Sequence, residues 1–314
     1  MYKYVLAAMF LVNYANACDF CGCSPSVMNT DVLSLQPQSS LGTSVQYRKY
    51  KYLSSDANLK QTQVVTQNFF LSYAPKKWVD IRLSIPISWM FNNYIKQDAN
   101  TPNLNEKKFG IGDLVLFSNF KVFSKPGMGA HKTGHIINLG YGMSFPTGSK
   151  KTSTNEWLQD FNFGTQSVAF YFAGTYSLSI RNWSLVNSAL VKLNMYNKDR
   201  IKYGNMYSYE ISANYTYFIK KVSLMPIVGF LADISQKNLH NQIIQGKSGS
   251  WSINFDVGLQ CSVKDFGISV NVSQPMAQNT SANTILQKTG VSCMVRYQIK
   301  RKLKINQAEK SSVK

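Results

Sequence analysis

The sequence predicts an all-β chain closed into an antiparallel transmembrane barrel of about twelve strands. Three observations predict it. Aromatic residues make up 13% of the chain and charged residues only 16%, well below the roughly 25% charge of soluble domains. No run of about 20 apolar residues follows the N-terminus, so no helix is offered to a bilayer. Finally, apolar and polar residues alternate with period two through long segments.

The alternation is clearest in Tyr207 to Ile219, where Tyr207, Tyr209, Ile211, Ala213, Tyr215, Tyr217 and Ile219 share one face. Ser208, Glu210, Ser212, Asn214 and Thr216 share the other. Trp251 to Ser262 and Val79 to Trp89 read the same way. A helical period would mix the two faces. These runs of 11 to 13 residues exceed the usual soluble strand and match what a tilted strand needs to cross a bilayer. Extended along the chain, the pattern places strands near 41–53, 63–74, 79–91, 110–123, 134–147, 165–179, 182–194, 205–219, 222–234, 249–262, 265–275 and 288–299. Short turns such as Pro75-Lys76-Lys77, Arg181, Lys220-Lys221 and Lys264-Asp265 alternate with long connections. That sorting by length belongs to outer-membrane barrels, whose turns face the periplasm. The connection at 124–133 is of middling length and fits the rule less well. A soluble sandwich would want shorter strands and fewer apolar faces set against Ser, Asn, Gln and Gly.

Lys3, the apolar stretch Tyr4 to Val12 and Ala15-Asn16-Ala17 read as an export signal over residues 1–17, too short in its apolar part to span. Residues 18–40 then form a cysteine-containing periplasmic segment, 41–299 the barrel, and 300–314 a basic tail. Both termini are expected in the periplasm and the barrel in a Gram-negative type outer membrane. The net charge of +19 is spread over turns and the tail rather than gathered into a stripe. It suits phosphate headgroups at strand ends and gives no nucleic-acid interface.

Several segments carry a family resemblance. They are Gly110-Ile111-Gly112-Asp113-Leu114, then Leu139-Gly140-Tyr141-Gly142-Met143-Ser144-Phe145-Pro146-Thr147-Gly148, then Phe163-Gly164-Thr165-Gln166-Ser167. Asn197-Lys198-Asp199 and Ser273-Gln274-Pro275-Met276 add to these. In this order they resemble the outer-membrane barrels grouped with meta-pathway phenol-degradation proteins, usually called transporters. The N-terminal Cys-x-x-Cys-Gly-Cys is similar to a subgroup of such barrels. The resemblance covers most of the mature chain. It implies passage of small, even hydrophobic, molecules and supplies no catalytic residues. The chain departs from the pattern at its end, where Tyr297 and Ile299 are followed by a 15-residue basic tail instead of a terminal aromatic.

By alternation, Asp80, Arg82, Asp113, Lys121, Lys192, Glu210, Asp256 and Arg296 point into the lumen. Such groups either line a water path or pair into a network that blocks it. Cys18, Cys21 and Cys23 are three soft ligands within six residues. They fit zinc or monovalent copper, a disulfide with one thiol left over, or lipid on Cys18. No other cofactor is implied. Cys261 and Cys293 lie on apolar faces and read as small hydrophobes. His131, His135 and His240 suggest no nucleophile–base pair, and an enzyme is not expected. The expected function is a transporter or channel for small solutes or metal-related cargo, with outer-membrane lipid and the solute as partners. A closed, salt-bridged structural or surface-interaction barrel is the alternative. The oligomeric state is not legible.

Overall fold

Period-two alternation forces each strand to present one polar and one apolar face, and the chain resolves that conflict by closing on itself. The computed structural model describes residues 37–52, 59–94, 105–125, 133–149, 163–246, 248–280 and 285–299. The export signal, Cys18, Cys21, Cys23 and the tail 300–314 lie outside the described residues.

Twelve antiparallel staves form the wall. They are β1 (Ser40–Tyr52), β2 (Leu59–Lys76), β3 (Val79–Tyr94), β4 (Asn105–Ile111 and Leu114–Lys125), β5 (Thr133–Phe145) and β6 (Ala169–Ile180). Next come β7 (Trp183–Asn194), β8 (Met206–Tyr215, resumed at Tyr217–Ile219), β9 (Val222–Ser235), β10 (Ser250–Val263), β11 (Phe266–Thr280) and β12 (Ile285–Gln287 and Gly290–Gln298). Each pairs with its neighbours in sequence, and β12 pairs with β1, with Tyr297 opposite Leu41 and Cys293 opposite Val45. Closure pairs each stave of the wall on both sides among the described residues, the condition for crossing lipid.

The start of β1 and the end of β12 meet at one end of the barrel, since Ser40 faces Gln298. The turns after β2, β6, β8 and β10 lie at that end, and so do both ends of the β4–β5 connection that fitted the length rule poorly. Longer connections gather at the opposite end, where Ile201–Lys202, Leu239–His240 and Ile243–Ile244 form a small separate sheet.

The outside is apolar and the inside polar, the reverse of a soluble fold. Leu71, Val122, Leu139, Trp183, Phe230, Leu259 and Val270 are exposed outward. Rings cluster outside near the turn end, with Trp183 4.9 Å from Tyr215 and Phe266 4.9 Å from Tyr297. Such a girdle, with Lys76 5.4 Å above Trp78, is suited to a headgroup layer. Inside, small polar groups bond across strands: Thr62 donates to Asn92 at 2.8 Å, Ser84 to Asn68 at 2.7 Å, and Thr66 and Ser88 lie 3.0 Å apart. Two apolar clusters interrupt this lining. Tyr50, Val64, Met90 and Ile285 enclose Phe163, and Val115, Ala169, Tyr171 and Leu190 form the second.

Where strand ends differ from the sequence reading, a side chain or backbone contact explains it. The fourth stave begins at Asn105 and breaks at Gly112-Asp113, where the Gly112 amide bonds to the Pro86 carbonyl at 2.8 Å. The sixth begins at Ala169 rather than 165, because the residues before it fold against that break.

Candidate functional site

The break in β4 gathers the glycine motifs into one clasp. Asp113 is 1% exposed. Its Oδ1 accepts the Gly148 amide at 2.9 Å, and its Oδ2 accepts the Thr165 amide at 2.7 Å and hydroxyl at 2.6 Å. Thr147 Oγ1 accepts from the Leu114 amide at 2.9 Å, and Ser149 Oγ from the Ile111 amide at 3.0 Å. The backbones meet so closely that a Cβ on Gly148 would lie 2.6 Å from the Gly164 Cα, and the reverse holds. The clasp explains the glycines and carries Phe163 into the lumen, against Gly110. Asp113, expected on the lumen wall by alternation, is instead fully enclosed by these three segments, because it sits in the break between strand halves.

The other expected residues lie on inward-facing rows. Asp80 is 5% exposed and accepts from Asn119 Nδ2 at 3.3 Å. Arg82 Nε donates to Ser72 at 3.0 Å, and its guanidinium lies 5.2 Å over the Phe70 ring. These two, Lys121 opposite Asn138, and Arg296 opposite Gly42 sit towards the turn end. Lys192, nearer the loops, is buried with its ammonium 5.6 Å over Tyr171. Glu210 and Asp256 lie near mid-height on β8 and β10.

Two further inward charges, Arg48 on β1 and Asp233 on β9, were within reach of the same alternation. Arg48 follows Gly42, Ser44 and Gln46 on one face, but Tyr50 and Tyr52 continue that face inward and blur its polarity. Asp233 takes a hydrogen bond from Ser208. Glu106 and Lys108, paired at 3.2 Å, belong to the part of β4 that the sequence left as a loop.

Arg48, Glu210, Asp233 and Asp256 line one cavity of about 60 Å³ against β1 and β8–β12. The cavity sets these charges among Ile227, Leu231, Val270 and Val291, an arrangement able to hold both a polar group and a hydrocarbon body.

The model of the family described as "Putative MetA-pathway of phenol degradation" matches residues 49–285. The chain belongs to this family. Three of the segments that carry the sequence resemblance, Gly110–Leu114, Pro146–Gly148 and Phe163–Ser167, are the segments of the Asp113 clasp. Among solved structures, the COG4313 outer membrane channel from Pseudomonas putida F1 superposes with a TM-score of 0.61 at 12% identity, covering 83% of this chain and 96% of that one. The beta domain of the Bordetella autotransporter Brka gives 0.45 at 8% identity, covering 83% and 100%. The translocator domain of autotransporter NalP from Neisseria meningitidis gives 0.46 at 8%, covering 84% and 89%. The first likeness establishes the fold as that of an outer-membrane barrel. No curated protein sequence matches the chain.

Proposed function

We propose that this family member passes small solutes through its lumen across an outer membrane, including solutes with an apolar body. Turns and termini then face the periplasm and the longer loops the exterior. The observation that carries this reading is the make-up of the lumen wall. A purely structural barrel needs only small polar groups inside, and Thr62, Thr66, Ser84 and Ser88 meet that need. Tyr171, Leu190 and Val115 add a packed apolar cluster to the inward side, and the charged cavity carries Ile227, Leu231 and Val270 in its lining. Membership of the family and an outer-membrane channel fold agree with transport.

One observation favours a closed barrel instead: Phe163 packs between staves on opposite flanks of the β1 region, among Tyr50, Val64, Met90 and Ile285. Vesicles with lipopolysaccharide in the outer leaflet separate the readings. Entry of a radiolabelled small aromatic alcohol should be several-fold faster with the protein than without. Equal rates would leave the closed barrel standing.

A further inference from the structure

The mid-height cavity is unbalanced in charge and in hydrogen bonding. Three carboxylates, Glu210, Asp233 and Asp256, line it with a single guanidinium, that of Arg48. The fields of Asp256 and Asp233 reach Glu210, and that of Arg48 reaches Asp256. Asp233 is engaged by Ser208, and Ser273 sits opposite Asp256 on β11. Three acceptor atoms nevertheless have no hydrogen-bond partner among the described residues: Glu210 Oε2, Asp256 Oδ1 and Asn254 Oδ1. Asn254 is 2% exposed and Asp256 9%, so bulk water does not solvate them. The Asn254 amide nitrogen is committed to Ser252 at 3.1 Å, and Asn254 is one of the residues that line the cavity.

These atoms share a neighbourhood by register. Glu210 on β8 faces Leu231 on β9, which faces Asn254 on β10, while Gly229 faces Asp256 one step along the same face. Strands lie about 5 Å apart, so the acceptors flank a shallow floor made by β9. Gly229 keeps that floor open, and a Cβ there would meet the Ile211 carbonyl at 2.7 Å.

Buried acceptors without donors are costly, and carboxylates more than amides. The group that answers three acceptors and a negative excess is one with three N–H donors and a positive charge, an alkylammonium. Aspartate, glutamate, histidine and cysteine side chains form no cluster fit for a metal ion among the described residues, so a bare cation lacks its close cage. The cavity of about 60 Å³ holds a few water molecules' worth of space, enough for an ammonium and its first carbons. Residues 18–39 contain no Lys or Arg that could fill the role from the N-terminal side.

We propose that Glu210, Asp256 and Asn254 form a subsite for the protonated primary amine of a solute, which makes amphiphilic amines a substrate class of this channel. The proposal rests on the transport reading above. Its site is tested separately by calorimetric titration of the full-length protein in detergent with hexylammonium, hexyltrimethylammonium and hexanol. Hexylammonium should bind at least about tenfold more tightly than the other two, as expected for charge-assisted hydrogen bonds that the quaternary amine cannot donate. Glu210→Gln and Asp256→Asn should each weaken it by about tenfold or more. Asn254→Leu, which leaves the charges in place, should weaken it less while keeping the preference over the quaternary amine. Heat-shifted gel migration checks that each variant is folded, and Asn254→Leu decides the matter if the charge variants are not. No binding by the wild type, equal binding of the quaternary amine, or binding indifferent to all three variants would overturn the subsite. Binding without faster hexylammonium entry into vesicles would keep the subsite and overturn transport. Entry of the aromatic alcohol without hexylammonium binding would do the opposite.

Discussion

At the scale of single residues, Asp113 is the side chain on which the most backbone depends. Its two oxygens satisfy amides of segments 35 and 52 residues away, so its loss strands buried donors in two places at once. Asp113→Ala should cost about 3 kcal/mol in urea unfolding from lipid vesicles, the expected penalty for orphaned charge-assisted bonds. It should also make the 146–168 connection a site of protease cleavage in the folded barrel. Gly148→Ala should do the same by a different cause, because its Cβ would lie 2.6 Å from the Gly164 Cα. An unchanged unfolding midpoint in both variants would remove the clasp from the account. The sequence made Asp113 conspicuous through its flanking glycines, yet alternation said nothing of the clasp that encloses it. Strand parity says nothing at a residue where the ladder is broken.

At the scale of strands, parity is dependable wherever hydrogen bonding runs unbroken. In β10 the outward Trp251, Ile253, Phe255, Val257 and Leu259 alternate with inward Ser252, Asn254 and Asp256, in unbroken register with β9, whereas the pairing with β11 slips by one residue between Ile253 and Asn254. That pattern was legible because one face meets lipid and the other does not. It faded in β1, where Tyr50 and Tyr52 face inward, and in the outer half of β4, whose Glu-Lys-Lys run reads as a loop. Pairings such as Glu210 with Asp256 across two staves were not legible at all, since sequence separation carries no register. Val257, near mid-height and 48% exposed, supplies a test of facing. Val257→Arg should destabilise the inserted barrel by about 2–4 kcal/mol. The same change at inward Ser212 should leave insertion largely intact and alter conductance. The inward ring of Phe163 gives a further expectation. Phe163→Ala removes the ring from the apolar cluster and should raise single-channel conductance in planar bilayers. Conductance equal to wild type would place the limiting constriction elsewhere.

At the scale of the whole molecule, one principle joins fold to function: a closed sheet lets a chain with negative mean hydropathy satisfy lipid on one side and water or solute on the other. The neighbouring residues Ser292 and Cys293 put that claim in its sharpest form, because they lie on one strand, facing Asn271 and Val270 respectively, with opposite facings. A fluorophore would be attached at Cys293 alone, or at a single cysteine from Ser292→Cys with Cys293→Ser, all other cysteines being changed to serine. The protein would then be placed in vesicles with brominated acyl chains. The barrel account requires strong quenching at 293 and little at 292. Equal quenching at both positions, or the reverse order, would contradict it.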